Sequence, residues 1–269
     1  MSDRIRVLGP TYVDHTIRLK DAISLDGSAR IDHEEVTPGG TGLCYAVALS
    51  RLGNSVTLHS VVGSDEKASD IQKALSAEAN LQPEWQITEG GTDYAYILID
   101  RGNHKTVASR KEISGNFRPD GLMLSSVDAK AVVLTSFRDD ISLEILKRIQ
   151  TDGNEKPFVM WSPHLPNCEN ARTILPLLHV VDHITLSADE FQTLYGQIGN
   201  PIEQGVSSVT VTNGKNGCDL LSSDGIKHYD AIRVVENPLD TNGAGEAFGA
   251  GFLTALLETG DYETAVRAG

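Results

Sequence analysis

Short runs rich in β-branched residues alternate along the chain with segments of helical periodicity. The runs predicted to be buried strands cover residues 5–9, 56–62, 132–137, 158–161, 183–187 and 209–213. Helical patterns lie between most of these runs, at residues 66–79, 141–150, 170–178 and 188–196. Because a strand, helix, strand alternation covers both faces of a parallel sheet with helices, this order predicts an α/β fold with a mainly parallel central sheet.

Two stretches depart from the alternation and predict a small second sheet. They cover residues 11–37 and 92–110. In the second stretch, DYAYILID and HKTVAS flank Arg101, Gly102 and Asn103, a pattern typical of a β-hairpin. A sheet of this kind above the carboxyl ends of the parallel strands would act as a lid that shields a site from water, although an ordinary edge hairpin is an equal alternative.

Length and charge limit the classes of protein that fit. The 269 residues, 40% of them hydrophobic, allow one large core, so we expect a single domain over residues 1–269. Lys and Arg number 23 against 37 Asp and Glu, for a net charge of -14, and no long basic run is present. This balance argues against nucleic acid as a partner.

The N-terminal residues, the apolar runs and the cysteines indicate the cellular compartment in which the protein works. The opening IRVLG resembles a strand rather than a signal peptide, and no apolar run approaches membrane-spanning length, so we expect a cytoplasmic protein. Cys44, Cys168 and Cys218 are widely spaced and form no CxxC pair, which argues against a disulfide framework and against a zinc site.

A polar, glycine-rich turn precedes a helix near the end of the chain, in DTNGAGEAFGAGF at residues 240–252. The N–H groups of Gly243, Ala244 and Gly245 could together bind a phosphate oxygen, and the helix dipole favours negative charge there. Glu246 follows immediately and could accept the proton of an attacking hydroxyl. Packing is the open alternative, since glycine turns and acidic first-turn residues are common at helix starts.

A second glycine pair precedes a helix in PGGTGLCYAVALSRLG, at residues 38–53. Gly39 and Gly40 would let a ligand approach the backbone closely. Close packing of the helix on the sheet, the alternative, needs only one of them.

These segments together resemble the paired signatures of the PfkB carbohydrate kinases, of the ribokinase type. GGTGLCYAVALSRLG followed by VTLHSVVGSD resembles the N-terminal signature, and DTNGAGEAFGAGF about 200 residues later resembles the C-terminal one. VLGPTYVDHTI, LSADEFQTLYG and VTVTNGKNGC are similar to intermediate landmarks of the family. The resemblance extends from about residue 5 to the end and implies a ribokinase-like α/β fold with a small β lid.

The resemblance also implies an activity, a kinase that transfers the γ-phosphate of ATP to a hydroxyl of a sugar-like substrate with Mg²⁺. It assigns catalysis to Glu246, Gly243, Ala244 and Gly245. The substrate-binding residues that it implies are Asp14, Gly39, Gly40, Cys44 and Asp240, and Arg110, which follows a predicted strand end, is a further substrate-binding candidate. The implied nucleotide-binding residues are Ser187, Thr212, Gly214 and Gly217, and Glu190 would hold the metal through water. A homodimer through the lid is a further expectation.

Three positions depart from the family pattern. Glu246 replaces an aspartate, which moves the carboxylate outward by about 1.5 Å. Ser187 and Cys44 each replace a usual asparagine, so a less polar substrate edge is expected. These departures, with the end of the chain at Gly269 inside a predicted helix, favour the alternative function: a catalytically impaired relative that binds sugar or nucleotide as a sensor or regulatory subunit.

Four histidines and Arg138 are not assigned to a site, whereas Arg110 is a substrate-binding candidate. The histidines His15, His59, His104 and His164 are scattered without metal-ligand spacing, so we interpret them as surface or core residues. Arg110 and Arg138 each follow a predicted strand end, where they could bind an anionic substrate or remain solvated.

Overall fold

The computed structural model describes residues 4–24, 26–122, 124, 129–151, 156–232 and 242–269. In chain order the strands are β1 (Arg4–Leu8), β2 (Tyr12–Leu19), β3 (Ile31–Gly39), β4 (Ser55–Gly63), β5 (Leu81–Thr88), β6 (Tyr94–Ile99), β7 (Lys105–Arg110), β8 (Ala131–Leu134), β9 (Phe158–Trp161), β10 (His183–Ser187), β11 (Ser208–Thr212), β12 (Cys218–Ser222) and β13 (Gly225–Tyr229). The α-helices are α1 (Thr41–Arg51), α2 (Glu66–Leu75), α3 (Asp139–Thr151), α4 (Leu165–Glu169), α5 (Ala188–Ile198), α6 (Ala244–Thr259) and α7 (Tyr262–Ala268).

The described strands form one large sheet and one small sheet. The large sheet has nine strands in the order β13-β12-β11-β10-β9-β8-β1-β4-β5. Its strands pair in parallel from β5 to β11, and β12 and β13 complete one edge in antiparallel pairing. The small sheet has the order β3-β2-β6-β7 and is built from the two stretches that depart from the alternation. Both the α/β prediction and the small second sheet are confirmed.

The central strands are almost entirely buried because helices cover both of their faces. In β8 all four residues are buried: Val132 and Leu134 join one hydrophobic cluster, and Ala131 and Val133 join the other. Helices α3 and α5 contribute to the first cluster, and α1, α2, α6 and α7 contribute to the second. The core therefore lies in two layers, one on each side of the large sheet.

The prediction of a helix at residues 170–178 is wrong, because no α-helix forms over these residues. The α-helix before them is the short α4, and it is followed by 3₁₀ turns at Ala171–Thr173 and Leu175–Val180. Pro176 has no N–H group to donate within an α-helix, which favours the shorter turns. The sequence prediction also missed β5, in which Pro83 is tolerated because the strand lies at the sheet edge.

The carboxyl ends of the parallel strands meet the starts of two helices at one edge of the large sheet. Thr41, the first residue of α1, donates a hydrogen bond of 3.0 Å to Thr135, which follows β8. Thr212, the last residue of β11, borders the same cavity as the first residues of α6. In sheets of this kind, ligands bind outside the carboxyl ends of the strands. None of the described helices has the length and apolar character needed to span a membrane.

Candidate active site

Helix α6 begins at the glycine-rich turn that the sequence singles out. Gly243 precedes the helix with φ 76°, and no side chain caps the helix start. A Cβ atom built on Gly243 or Gly245 would meet no described atom within 4 Å. The first amides of this helix therefore have no cap from a described side chain and carry the partial positive charge of the helix dipole.

A cavity of about 550 Å³ lies beside this turn. Five sequence-predicted residues line it, namely Thr212, Gly214, Gly217, Ala244 and Gly245. The sequence prediction missed other lining residues, including Phe248, Tyr229 and Arg267, whose guanidinium lies 5.3 Å from the Tyr229 ring centre. The cavity thus joins the turn after β11 to the start of α6 and combines apolar walls with exposed backbone amides.

Helices α1 and α6 pack closely enough to place their first turns together. The ring of Tyr45 fills the space beside Gly249, where a Cβ atom would lie 2.8 Å from two of its ring carbons. Near the other end of α1, the side chain of Asn54 donates a hydrogen bond of 2.8 Å to Thr254 of α6. This packing brings Tyr45 and its neighbour Cys44 close to Glu246.

Cys44 lies near both Asp14, at the predicted substrate end of the site, and Glu246, in the predicted catalytic turn. Burial raises the pKa of its thiol to about 12, and the nearby carboxylates of Glu246 and then Asp14 contribute to that rise. Two carboxylates can both act on one thiol only when both lie near it. Asp14, which packs on Gly39 just before α1, and Glu246, in the first turn of α6, therefore both lie near the first turn of α1, although they are far apart in the sequence.

The corner around Asp14 depends on two glycines at the end of β3. Strand pairing sets Tyr12 opposite Gly39, and the Asp14 carboxylate packs directly on Gly39, where a Cβ atom would overlap it. Gly40 has φ 93°, and a Cβ atom there would lie 2.6 Å from the carbonyl oxygen of Pro10. Both glycines are required by the backbone path that brings Asp14 to the start of α1.

Several polar groups near this corner were missed by sequence reasoning. The Nζ atom of Lys111 lies 5.2 Å from the centre of the Tyr12 ring. Desolvation lowers the pKa of Lys111, and the carboxylates of Asp93 and Asp14 partly offset that effect. The hydroxyl groups of Thr41 and Ser136 are 2.8 Å apart. This end of the cleft therefore presents a carboxylate, an ammonium group and hydroxyl groups, a donor and acceptor set suited to a polyhydroxyl ligand.

Ser187 and Glu190 form the start of helix α5 and do not line the described cavity. The backbone N–H and the hydroxyl of Ser187 both donate to Oε2 of Glu190, each at 2.8 Å. Both hydrogen bonds use Oε2. Carboxylate oxygens such as Oε1 of Glu190 are the kind of ligand that Mg²⁺ prefers, either in direct contact or through a water molecule. Among the described residues no cluster of three or more His, Cys, Asp or Glu side chains could hold a metal by itself.

The structure does not bring Arg110, another predicted substrate residue, into the cleft. Arg110, at the end of β7, forms an exposed ion pair of 2.6 Å with Glu112. Asp240 lies outside the described residues. The structure therefore unites Asp14, Gly39, Gly40 and Cys44 with the α6 turn and gives Arg110 a different partner.

His164 reaches the cleft although the sequence analysis interprets it as a surface or core residue. It lies between β9 and α4, and its Nε2 atom is 3.9 Å from Oε1 of Glu246. The small sheet also reaches the site, since Nζ of Lys105 lies 2.9 Å from Oδ1 of Asn242 in the turn before α6. Both contacts join distant parts of the chain, so no local pattern predicts them.

Solved structures share this fold. Ribokinase from Giardia lamblia superposes with a TM-score of 0.85 at 18% identity, covering 98% of this chain and 89% of that chain. The nucleoside kinase of Methanocaldococcus jannaschii superposes with a TM-score of 0.81 at 20% identity, covering 99% and 89%. The two sheets and their helices therefore form a ribokinase-like fold.

Sequence comparison gives the family. The pfkB family carbohydrate kinase profile matches residues 4–269. The ATP-dependent ribose-1-phosphate kinase of Halopiger xanaduensis is 26% identical over 271 residues, covering 98% of this chain and 88% of the relative. The ribokinase of Bacillus subtilis is 27% identical over 245 residues, covering 87% and 78%. The chain belongs to the PfkB family of carbohydrate kinases, as its paired glycine-rich segments predict.

Proposed function

We propose that this chain transfers the γ-phosphoryl group of ATP to a hydroxyl group of a sugar-like acceptor. One observation carries the proposal: the uncapped start of α6 borders the cavity at Thr212 and is followed at once by Glu246, which, like Asp14, lies near the first turn of α1. A phosphoryl donor on one side and an acceptor on the other would meet at this helix start.

The acceptor end is assigned to residues around the start of α1. Asp14 would accept hydrogen bonds from acceptor hydroxyls, and Gly39 and Gly40 would let the acceptor approach the backbone. Cys44 would form a less polar edge of this pocket. Arg110 and Asp240 would also bind the acceptor. Arg110 would have to leave its partner Glu112 when the acceptor binds.

The nucleotide end is assigned to the cavity between the turn after β11 and α6. Thr212, Gly214 and Gly217 would border the nucleotide, with Ser187 at the neighbouring strand end. Glu190 would hold Mg²⁺ through a water molecule, and the ion would supply positive charge against the phosphates.

Residues at the start of α6 would catalyse the phosphoryl transfer. Glu246 would accept the proton of the acceptor hydroxyl as the acceptor oxygen bonds to the γ-phosphorus and the bond to the leaving ADP oxygen breaks. The amides of Gly243, Ala244 and Gly245 would stabilise negative charge on the phosphoryl oxygens in flight.

The remaining expectations follow from the same assignment. We propose a single domain in which the small sheet serves as the lid, and a homodimer formed through that lid. The absence of a membrane-spanning helix among the described residues is compatible with the cytoplasmic location that we propose.

An acceptor panel tests the proposal. The purified chain is incubated with Mg-ATP and sugars, sugar phosphates, sugar acids, polyols and nucleosides, and both phosphorylated product and thermal stabilisation are measured. We expect product with at least one acceptor class. Stabilisation by a ligand without any product would instead support the sensor alternative, because a ligand that binds the folded state raises stability without turnover.

A further inference from the structure

Glu246 has one basic partner within ion-pair distance among the described residues, and that partner is His164. Its Nε2 atom lies 3.9 Å from Oε1 of Glu246, whose side chain is only 17% exposed. The other groups near this carboxylate are the Cys44 thiol and the Tyr45 phenol, and burial raises the pKa of each. Neither group supplies positive charge, so His164 is the basic side chain within ion-pair distance of this carboxylate in the described part of the chain.

His164 is held from behind by a buried amide. Oδ1 of Asn167 accepts a hydrogen bond of 3.2 Å from the backbone N–H of His164. Nδ2 of Asn167 donates to the carbonyl of Phe137 and to Oδ1 of Asp139, both at 2.8 Å. Asn167 is 6% exposed and ties the turn after β9 to the start of α3. The imidazole therefore projects from a fixed turn rather than from a mobile loop.

The length of the Glu246 side chain matters for this contact. An aspartate at position 246 would hold its carboxylate about 1.5 Å closer to the helix backbone. From there it would lie beyond ion-pair distance of the present His164 position. The longer side chain and the histidine thus form a matched pair, which the shorter carboxylate could not form.

We propose that His164 is a positioning residue that orients Glu246 for proton transfer, and this proposal rests on the proposed kinase function. As the acceptor oxygen bonds to the γ-phosphorus and ADP leaves, the acceptor proton passes to the Glu246 carboxylate. An N–H of His164 that moves from the present 3.9 Å to within hydrogen-bond distance of Oε1 would leave Oε2 to take that proton. Since an error of about 1 Å in the position of a base can cost on the order of 100-fold in rate, the pair compensates for the added methylene.

A double-mutant cycle tests the pairing. The variants are His164→Ala, His164→Gln, Glu246→Asp and the double variant of His164→Ala with Glu246→Asp, with the exposed His179→Ala as matched control. His164→Ala should lower kcat about tenfold with the KM for ATP unchanged, and His164→Gln, which restores an N–H donor of similar reach, should recover most of the loss. In the Glu246→Asp background, the same His164→Ala change should alter kcat less than about twofold.

The outcomes separate the two proposals. If the wild-type chain is active and His164→Ala gives the same fold loss in both backgrounds, or if His164→Gln is as impaired as His164→Ala, the positioning role is wrong while the kinase function stands. If the wild-type chain transfers phosphate to no acceptor class, the kinase function fails and the positioning role fails with it. A loss in His179→Ala equal to that in His164→Ala would also overturn the pairing.

Discussion

Nζ of Lys105, on strand β7 of the small sheet, donates a hydrogen bond of 2.9 Å to Oδ1 of Asn242, in the turn just before α6. The edge of the small sheet thereby touches the segment that we assign to phosphoryl transfer. If the small sheet is a lid, this contact holds the lid closed over the transfer site.

Replacing Lys105 with Met should weaken lid closure. Loss of one hydrogen bond worth about 1 kcal/mol should lower kcat/KM for the acceptor about fivefold, and the melting temperature by only about 2 to 4 °C. Steady-state kinetics would measure this. Lys20→Met is the matched control. Lys20 also lies at the small sheet, directly after β2, but it forms an exposed ion pair of 3.6 Å with Asp32. Equal losses in the two variants would argue against a specific closing contact.

Gly40→Ala should weaken acceptor binding at the Asp14 site more than Gly53→Ala does, although both substitutions place alanine at a positive φ. Gly40 and Gly53 lie at opposite ends of α1 with φ 93° and 91°, but only Gly40 is crowded, by Pro10 and Thr11. Each substitution should cost about 1 to 2 kcal/mol through the positive φ. Gly40→Ala should cost more and should also raise the acceptor KM at least about tenfold, because the strand that carries Asp14 must shift. Urea unfolding and acceptor kinetics check both effects, and unchanged acceptor binding in Gly40→Ala would contradict the assignment of this corner.

Gly249→Ala should destabilise the contact between α1 and α6. A Cβ atom at Gly249 would lie 2.8 Å from carbons of the Tyr45 ring, whereas one at Gly196, in α5, meets no described atom within 4 Å. We expect Gly249→Ala to lower the free energy of unfolding by about 1 to 3 kcal/mol through overpacking. Gly196→Ala should raise it by about 0.5 to 1 kcal/mol through helix propensity. Chemical denaturation measures both, and a stabilising Gly249→Ala would show that the helices are less tightly packed than described.

The stability of the protein should fall between pH 6.5 and pH 5. Burial, with Arg6 and Arg4 nearby, lowers the pKa of His59 to about 4 from an ordinary value of 6.5, although Glu84 lies 3.2 Å from its ring. Between these two pKa values the unfolded chain binds a proton that the folded chain does not, so the free energy of unfolding decreases as the pH falls, by up to about 1.4 kcal/mol per pH unit. His59→Gln should give a shallower slope in urea unfolding at several pH values. An unchanged slope would indicate that His59 is protonated in the folded state.

The parts of the site that the sequence predicts are those encoded locally. Gly39 and Gly40, and Gly243 to Gly245, are recognisable because a glycine turn and the helix after it are neighbours in the chain. Thr212 ends a strand with a clear β-branched pattern, and Gly214 comes two residues after it. The alternation of strands and helices predicts the layered sheet for the same reason.

The parts that the sequence does not predict arise from contacts between distant segments. The Thr41 and Ser136 hydroxyls are separated by 95 residues, and their proximity depends on β1 and β8 lying side by side. His164 and Glu246 meet only after β9 and α6 take their places around the large sheet. Arg110 is a different case, because its partner Glu112 is only two residues away, but a sequence does not show which of several nearby charges an arginine will pair with.

The central claim is that Glu246 takes the acceptor proton beside a helix start that binds the phosphoryl group. Phosphate transfer from radiolabelled ATP to the best acceptor of the panel, measured for the wild-type chain and for Glu246→Gln together with ATP affinity, tests it most directly. We expect Glu246→Gln to lower kcat at least about 100-fold, because a neutral amide cannot accept the proton, while ATP affinity stays within about twofold. Transfer by Glu246→Gln at the wild-type rate would contradict the claim.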